Sequence, residues 1–292
     1  MQKQHNVTII LLFIVSFLTS CTHQTFVGSL SINHNIYKLA HSHHFDQNKI
    51  QTDFFLLQTF TKISNPDEPI HIYIEGDGYS WATRNRISKN PTPKNLLVMD
   101  LAILDEHPNI FYIARPCQFI QSDLNCNNKY WTSHRYAPEV IAATSQAIDY
   151  LKQYYSLENQ KTHLTGFSGG AAIAAYLAKN REDVASLRTI AGHLDIQATA
   201  QHHNTTPLYG SLNPLEAAYD ISRIPQIHFY GENDSIIPSH ITKSFVNTVN
   251  LLSTKTQCAQ AIGVKNVTHA KRWRQNWRHL LKIKPICYKQ KI

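Results

Sequence analysis

Gly166-Phe167-Ser168-Gly169-Gly170 is the stretch that decides the fold, because it fits the pattern G-x-S-x-G. A short apolar run, residues 162–165, precedes it, and an Ala-rich run, residues 171–177, follows it. The two runs predict a strand and a helix joined by a strained turn, which needs small residues on both sides of the serine. Such a turn lifts the serine Oγ above the sheet and points the helix N-terminus at it. We therefore predict that Ser168 is a nucleophile.

Runs typical of strands and helices alternate on both sides of this turn. The predicted strands are residues 53–63, 70–74, 109–114, 162–165, 187–191, 226–230 and 257–264, and the predicted helices are residues 96–104, 138–154, 171–177 and 271–282. This alternation predicts an α/β fold with a mostly parallel central sheet and helices on both faces. Functional loops of such sheets cluster at the carboxyl ends of the strands. Residues 195–220 are the least regular stretch and are expected to form a loop or small lid.

A carboxylate that could assist the serine follows the predicted strand 226–230. The segment is Gly231-Glu232-Asn233-Asp234-Ser235-Ile236-Ile237-Pro238, and it resembles the acid loop of the α/β-hydrolase superfamily. In that superfamily the order along the chain is serine, acid, histidine. The resemblance implies that Asp234 is the acid. Glu232 in the same loop and Asp195 after the preceding strand are the alternatives.

The candidate base lies between the last predicted strand and the last predicted helix. The segment Asn266-Val267-Thr268-His269-Ala270 resembles the histidine loop of the same superfamily, which implies His269 as the base. The chain has 17 histidines, so residue type alone is weak evidence. His279 is the alternative, but it lies inside the predicted helix 271–282.

Acyl transfer also needs preorganised donors for the oxyanion that forms. The first predicted donor is the N–H of Gly169, directly after the nucleophile. Glu75-Gly76-Asp77-Gly78 follows the predicted strand 70–74 and resembles the H-G-x oxyanion loops of the superfamily. The resemblance implies the Asp77 N–H as the second donor, with the Gly78 N–H as the alternative. Glu75 stands where many members have His.

A narrower resemblance covers about residues 70–282. Residues 75–78, Ala114-Arg115-Pro116-Cys117-Gln118, then Cys126 and residues 130–133 are similar to a set of exported bacterial α/β-hydrolases. That similarity implies the fold and the triad, and no particular substrate. We predict that Trp81, Arg115 and Trp131 line the substrate pocket, with Arg84 and Arg135 as further candidates. A guanidinium there could hold a carboxylate or phosphate; salt bridges between surface loops are the alternative.

The first residues predict export and lipid anchoring. Lys3 precedes an apolar run, residues 7–18, which is too short to span a bilayer and is typical of a signal peptide. Leu18-Thr19-Ser20-Cys21 resembles the bacterial lipobox, which implies cleavage before Cys21 and acylation of that cysteine. Two or more acyl chains anchor a protein stably.

These features predict the domain organisation and the location. Residues 1–20 are expected to be the signal peptide, residues 21–35 a tether, and residues 36–288 a single α/β-hydrolase domain. The location predicted is the bacterial cell envelope. Thr22 follows the cysteine in place of the Asp that favours inner-membrane retention, which favours the outer membrane, facing the periplasm or the cell surface.

The net charge is +8 at pH 7, and it falls to +7 when residues 1–20, with Lys3 as their one charged residue, are removed. A basic chain suits an anionic lipid surface, and without a nucleic-acid motif we expect no nucleic-acid partner. Much of the charge lies near the end of the chain, at Lys271, Arg272, Arg274, Arg278, Lys282, Lys284, Lys289 and Lys291. A solvated helix face is the interpretation we prefer for that stretch.

Four of the five cysteines remain once Cys21 carries lipid. An exported chain meets an oxidising compartment, so an even count predicts disulfides. Of the three possible pairings we choose the most local one, Cys117–Cys126 and Cys258–Cys287. Neither spacing is C-x-x-C, and the cluster His41, His43 and His44 is more typical of a polar turn, so we expect no metal site.

The residues together predict a serine hydrolase that cleaves a carboxylic ester through an acyl-serine intermediate. His269 takes the serine proton, Asp234 orients the imidazole, and the Gly169 and Asp77 amides bind the oxyanion. This chemistry needs no metal or organic cofactor. The predicted anchor favours a small-molecule or lipid substrate, such as a lysophospholipid. A peptidase or thioesterase of the same fold and a non-catalytic envelope-binding lipoprotein are the alternatives.

Overall fold

Strands and helices alternate through residues 35–120, 122–253 and 256–289, which the computed structural model of the chain describes. The strands are β1 Asp46–Gln51, β2 Leu56–Ile63, β3 Ile70–Ile74, β4 Trp81–Thr83, β5 Arg86–Ile87, β6 Asn109–Ile113, β7 Thr162–Phe167, β8 Val184–Ile190, β9 Gln226–Gly231, β10 Thr256–Gln257, β11 Ala259–Val264 and β12 Tyr288–Lys289. The α-helices are α1 Leu97–Leu104, α2 Pro138–Tyr154, α3 Gly169–Asn180, α4 Ile196–His203, α5 Ser239–Leu252 and α6 Trp273–Leu281. Two 3-10 helices cover Asn128–Trp131 and Pro214–Ala217.

Eight of the strands form one sheet in the order β1-β2-β6-β3-β7-β8-β9-β11. The six strands from β6 to β11 in that order pair in parallel, and β1 and β2 pair antiparallel at one edge. The predicted mostly parallel sheet is therefore confirmed. The crossovers between parallel strands bring the carboxyl ends of β3, β7, β8, β9 and β11 to the same edge of the sheet.

Alternation along β3 explains why helices cover both faces of the sheet. Successive side chains of a strand point to opposite faces. Ile70, Ile72 and Ile74 pack in one core cluster with residues of α2 and α3. Tyr73 points the other way, where its ring contacts Trp277 of α6 at a centroid distance of 6.3 Å. Both faces are therefore buried, as a parallel sheet requires.

Several elements of the structure are absent from those that the sequence predicts, among them β1, β4, β5, α4 and α5. Strand β1 (DQNKIQ) is mostly exposed at the sheet edge, so it lacks the apolar alternation that marks a half-buried strand. Helix α5 was not predicted, and α4 lies inside the stretch expected to be a loop or lid. The predicted strand 53–63 begins only at Leu56, because the Thr52 hydroxyl and the Phe55 backbone close a turn before it.

The chain divides into two units, residues 1–39 and residues 40–292. In the first unit the described residues, 35–39, are helical. The predicted signal peptide, most of the predicted tether and the lipidation site Cys21 lie outside the described residues. Within the residues that are described, no helix is both long enough and apolar enough to cross a membrane.

Both disulfides predicted from the spacing are present. Cys117 pairs with Cys126, and Cys258 pairs with Cys287. The first joins the loop after β6 to the segment before the 3-10 helix Asn128–Trp131. The second joins the residue between β10 and β11 to the residue before β12. Each bond constrains the unfolded chain and so stabilises the fold.

Candidate active site

Ser168 lies in the turn between β7 and α3, in a backbone conformation that L-residues rarely adopt. Its φ is 49° and its ψ is −117°. Such conformations cost about 1–3 kcal/mol and persist where surrounding contacts enforce them. Here the neighbouring residues leave no room for a side chain at either glycine. A Cβ on Gly166 would lie 2.4 Å from the Gly170 carbonyl oxygen, and a Cβ on Gly170 would lie 2.4 Å from the Ile74 carbonyl oxygen. The small residues around the serine are therefore a packing requirement.

One line of hydrogen bonds joins Ser168, His269 and Asp234. The Ser168 Oγ lies 3.0 Å from His269 Nε2, and His269 Nδ1 lies 2.9 Å from Asp234 Oδ2. The other carboxylate oxygen of Asp234 accepts from the N–H groups of Ile236 at 2.8 Å and Ile237 at 3.0 Å. The Asp234 side chain is fully buried, whereas that of His269 is 20% exposed. The structure thus brings the three predicted residues together in an arrangement that can move a proton from a serine hydroxyl.

The sheet topology explains how residues so far apart in sequence meet. Asp234 follows β9 and His269 follows β11, and these two strands are parallel neighbours. Their following loops therefore leave the same edge of the sheet, where the Asn233 N–H donates to the Val267 carbonyl at 3.0 Å. The Trp273 indole N–H donates to the His269 carbonyl at 2.9 Å, which fixes the histidine loop against the start of α6.

The alternative acids and the alternative base lie in other surroundings. Glu232 is exposed on the acid loop, and His279 is exposed on α6. Asp195 caps α4, where its carboxylate accepts from the N–H groups of Gln197 and Ala198. The observed hydrogen bonds therefore favour Asp234 and His269.

The Asp77 side chain lies against the turn that holds Ser168. A Cβ on Gly169 would lie 1.9 Å from Asp77 Oδ1. The carboxylate accepts from Arg115 Nη1 at 3.0 Å, Arg135 Nη1 at 2.7 Å and the Tyr136 hydroxyl at 3.0 Å. Burial by itself would raise the pKa of Asp77, but the charges of Arg135 and Arg115 outweigh it and hold that pKa well below its usual range. The cluster therefore carries two positive charges against one negative charge.

This cluster holds the loop that carries the second predicted oxyanion donor. Among the hydrogen bonds of the described residues, neither the Gly169 N–H nor the Asp77 N–H has a protein acceptor. Both amides therefore remain available to an oxygen that develops charge beside Ser168. Gly78, the alternative donor, has a φ of 66° and packs against the Pro91 carbonyl and the Gln118 side chain.

A cavity of about 210 Å³ opens beside Ser168. Asp77, Arg135 and His193 line it together with Ser168. The rest of the lining comes from α4, the segment that follows it and the acid loop, and its residues are Thr199, Ala200, His203, Thr205, Thr206, Pro207, Leu208, Ile236 and Ile237. The stretch predicted to be a loop or lid therefore supplies much of the wall.

The three residues predicted to line the pocket do not line this cavity. Trp81 is 41% exposed on β4. The Trp131 indole N–H donates to the Ser88 carbonyl at 3.0 Å, which holds that ring against another loop. Arg115 is buried and donates to both Asp77 and the Arg135 carbonyl, so it supports two cavity residues without lining the cavity itself. Of the further candidates, Arg135 lies in the wall and Arg84 is exposed.

His193 is a cavity residue that the sequence motifs missed. It follows β8, and its backbone N–H donates to the Ser168 carbonyl at 3.0 Å. Its Nδ1 lies 2.8 Å from the Tyr136 hydroxyl. Burial lowers the pKa of His193 to about 4, so the ring is neutral near pH 7. Its position at the carboxyl end of a parallel strand was the one available signal. Among the described residues, no group of His, Cys, Asp and Glu is arranged to hold a metal ion.

Glu75 occupies the position after β3 as a buried acid. Its carboxyl oxygens accept hydrogen bonds from the backbone N–H of Gly76 at 2.9 Å and from the Tyr112 hydroxyl at 2.7 Å. Burial raises the pKa of Glu75 from 4.5 to about 7, and these hydrogen bonds and the charge of Arg115 offset burial only in part. The loop that carries Asp77 therefore begins at a carboxyl group that is largely protonated in mildly acidic solution.

We predict that Glu75→Gln changes the pH dependence of stability. The folded protein keeps the Glu75 proton up to about pH 7, whereas the unfolded chain releases it near 4.5. The stabilising contribution is thus complete below pH 4.5 and is lost as pH rises through 7, a change of about 3 kcal/mol. In urea denaturation, the difference in unfolding free energy between Glu75→Gln and wild type should move in favour of the variant by about that amount between pH 5 and pH 8.

The matched control is Glu232→Gln, since Glu232 is exposed. The difference in unfolding free energy between Glu232→Gln and wild type should be the same at pH 5 and at pH 8. A difference between Glu75→Gln and wild type that does not change with pH would contradict the assignment of a buried, protonated acid.

Comparisons with known proteins agree with this fold and with a serine hydrolase. A family model described as Serine hydrolase (FSH1) matches residues 106–256, a range that contains Ser168 and Asp234. No curated protein matches the chain in sequence.

Several solved structures share the fold. An esterase of Pyrococcus furiosus superposes with a TM-score of 0.60 at 13% identity, over 84% of this chain and 92% of that one. A Coxiella burnetii alpha-beta serine hydrolase homologue superposes with a TM-score of 0.54 at 16% identity, over 81% of this chain and 94% of that one. A Pyrococcus horikoshii acylaminoacyl peptidase superposes with a TM-score of 0.60 at 12% identity, over 82% of this chain and 40% of that one. The resemblance to the α/β-hydrolase superfamily is confirmed.

Proposed function

Since this chain belongs to the serine hydrolase (FSH1) family, we propose that it cleaves a carboxylic ester through an acyl-serine intermediate at Ser168. The observation that carries the proposal is the line of hydrogen bonds from Ser168 Oγ through His269 to Asp234, beside a cavity and two free amides. Because the family membership leaves the acyl donor open, the geometry of the cavity is the main guide to the substrate.

The proposed reaction begins with proton transfer from Ser168 Oγ to His269 Nε2 as Oγ attacks the ester carbonyl carbon. The carbonyl oxygen takes up the negative charge and receives hydrogen bonds from the Gly169 and Asp77 N–H groups. Asp234 stabilises the imidazolium of His269. When the tetrahedral intermediate collapses, the alcohol leaves with the proton from His269. Water then attacks the acyl-serine with His269 as base, which releases the acid and restores Ser168.

The size of the cavity favours a short acyl group. Ligand pockets for larger molecules begin at about 300 Å³, and this cavity has about 210 Å³. A chain of two to about five carbons suits that volume better than the long chain of a lysophospholipid. We therefore place short-chain esters before the lipid substrates that the sequence favours.

A substrate panel tests the proposal. We expect kcat/KM for p-nitrophenyl esters to be highest at two to four carbons and to fall about tenfold or more by twelve carbons. The same panel includes a thioester, aminoacyl anilides and a lysophospholipid. Faster turnover of the anilides would identify a peptidase, and faster turnover of the lysophospholipid would overturn the short-chain preference. If a fluorophosphonate probe fails to label the wild type, the site is non-catalytic.

We further propose that the chain is exported and held in the bacterial outer membrane by lipid on Cys21. The four residues 18–21 and the apolar run before them support this, and the two disulfides suit an oxidising compartment. In a Gram-negative host, wild type should incorporate a palmitate analogue and fractionate with the outer membrane. Cys21→Ser should do neither. Equal labelling of Cys21→Ser and wild type would show that any lipid is attached to a residue other than Cys21.

We predict that Gly169→Ala lowers kcat by about 100-fold. The added Cβ would lie 1.9 Å from Asp77 Oδ1 and 2.8 Å from the Tyr136 hydroxyl, so the Asp77 loop has to move away from Ser168. The measurement is kcat for p-nitrophenyl butyrate. The control is Gly263→Ala on β11, where the nearest atom is the far end of the Tyr230 side chain at 2.9 Å, and we expect kcat within about threefold of wild type. Full activity of Gly169→Ala would show that the oxyanion binds elsewhere.

A further inference from the structure

We propose that the cavity selects an acyl group that carries a hydroxyl close to the scissile carbonyl, and that His193 Nε2 accepts the hydrogen bond from that hydroxyl. The inference rests on the proposed function, because it assumes that the acyl part of the ester occupies the cavity. It adds a class of substrate, short hydroxyacyl esters, and a residue that determines specificity.

The hydrogen-bond network around Tyr136 assigns the tautomer of His193. The Asp77 carboxylate, paired with two guanidinium groups, is ionised and can only accept. The Tyr136 hydroxyl therefore gives its single proton to Asp77, at 3.0 Å from Oδ2. The Tyr136 oxygen must then accept from His193 Nδ1, 2.8 Å away. A neutral imidazole with its proton on Nδ1 has a lone pair on Nε2, so this atom is a hydrogen-bond acceptor.

This acceptor has no partner in the protein. His193 is 7% exposed, and its Nε2 is buried without a hydrogen bond to any of the described residues. A buried acceptor without a donor destabilises the folded state. Because His193 lines the cavity, a small rotation of its ring that exposes Nε2 would let a substrate hydroxyl supply the missing donor.

The position of His193 places that donor near the reacting carbonyl. Its backbone N–H donates to the Ser168 carbonyl, so the ring lies in the wall immediately beside the nucleophile. A group that reaches Nε2 from an acyl carbon on Ser168 therefore belongs to the first few atoms of the acyl chain. Thr205 and Thr206 also line the cavity and add hydroxyl-bearing side chains, which suit a polar acyl group.

The test compares p-nitrophenyl butyrate with the 2-hydroxybutyrate and 3-hydroxybutyrate esters and with the methyl ethers of both. For wild type we expect at least one hydroxy ester to exceed butyrate in kcat/KM by about tenfold, the effect of one hydrogen bond at a buried site. Its methyl ether, which lacks the proton, should lose that advantage. Equal rates for butyrate and both hydroxy esters, or an advantage kept by the ethers, would overturn the inference. This comparison uses wild type alone.

Variants then assign the preference to His193. In His193→Phe the ratio of hydroxy ester to butyrate should fall to about one, and in His193→Gln, which keeps an acceptor, it should be partly retained. The control is His279→Phe, because His279 is exposed on α6, and its ratio should equal that of wild type. If folded His193→Phe keeps the wild-type ratio, another group recognises the hydroxyl.

The outcomes separate this inference from the proposed function. If hydrolysis of the butyrate ester depends on Ser168 but shows no preference for a hydroxyl, the proposed esterase activity is supported and the hydroxyacyl preference is contradicted. If no ester is hydrolysed and a fluorophosphonate does not label the protein, both proposals are contradicted.

Discussion

Ser168→Ala is expected to lower kcat/KM for p-nitrophenyl butyrate by at least about 10⁴-fold and to abolish labelling by a fluorophosphonate probe. The Oγ that lies 3.0 Å from His269 Nε2 is the atom that would form the acyl bond, and alanine has nothing to replace it. The remaining cavity and amides still bind substrate, so KM should change far less than kcat. A variant that labels as well as wild type would show that another residue is the nucleophile.

A second substitution at Ser168 separates loss of the hydroxyl from loss of folding. Alanine keeps the unfavourable φ of 49°, whereas glycine adopts that conformation without strain. We therefore expect Ser168→Gly to be inactive and yet more stable than Ser168→Ala, by about 1 kcal/mol in unfolding free energy. Lower stability of the glycine variant would contradict the strain at this turn.

Asp234→Asn is expected to lower kcat by about 10⁴-fold with little change in fold. The asparagine oxygen can still accept from the Ile236 and Ile237 N–H groups, so the loop keeps its conformation. Its NH₂ group then faces His269 Nδ1 and makes that nitrogen an acceptor. The imidazole proton moves to Nε2, where it faces Ser168 Oγ and prevents the ring from taking the serine proton. Stopped-flow kinetics with p-nitrophenyl butyrate would measure the loss of kcat. Thermal denaturation would test whether the variant keeps the fold.

Glu232→Gln is the matched control, since it removes a carboxylate from the same loop at an exposed position. We expect its kcat to stay within about twofold of wild type. If Glu232→Gln lost activity and Asp234→Asn did not, the acid would be Glu232, the alternative that the sequence leaves open.

Much of the fold could be predicted because the strands of a parallel sheet are buried on both faces. The predicted runs 70–74 and 138–154 coincide with β3 and α2, and the others differ by a few residues at their ends. Strand β1 could not be predicted, since an exposed edge strand needs no apolar alternation. Helix α4 begins at a capping aspartate, Asp195, within a stretch whose glycine and prolines suggested a loop.

The cavity wall differs most from what the sequence predicts. Residue type and nearness in sequence to the motifs predict Trp81, Arg115 and Trp131 as pocket residues. The cavity instead takes its wall from His193 and the segment 199–208, which the carboxyl end of β8 carries past Ser168. No local pattern marks a wall residue, because its role depends on which loop lies opposite.

By itself the sequence determined the turn at Ser168 and the alternation of strands and helices, and it favoured the most local of three cysteine pairings. These are set by short-range physics: side-chain size beside a strained turn, burial of apolar runs, and the reach of a disulfide. Only the tertiary structure decided that Asp234 rather than Asp195 meets His269, that two arginines hold Asp77 over Gly169, and that His193 keeps a free acceptor. Those outcomes depend on which strands become neighbours, and therefore on contacts between residues far apart in the chain.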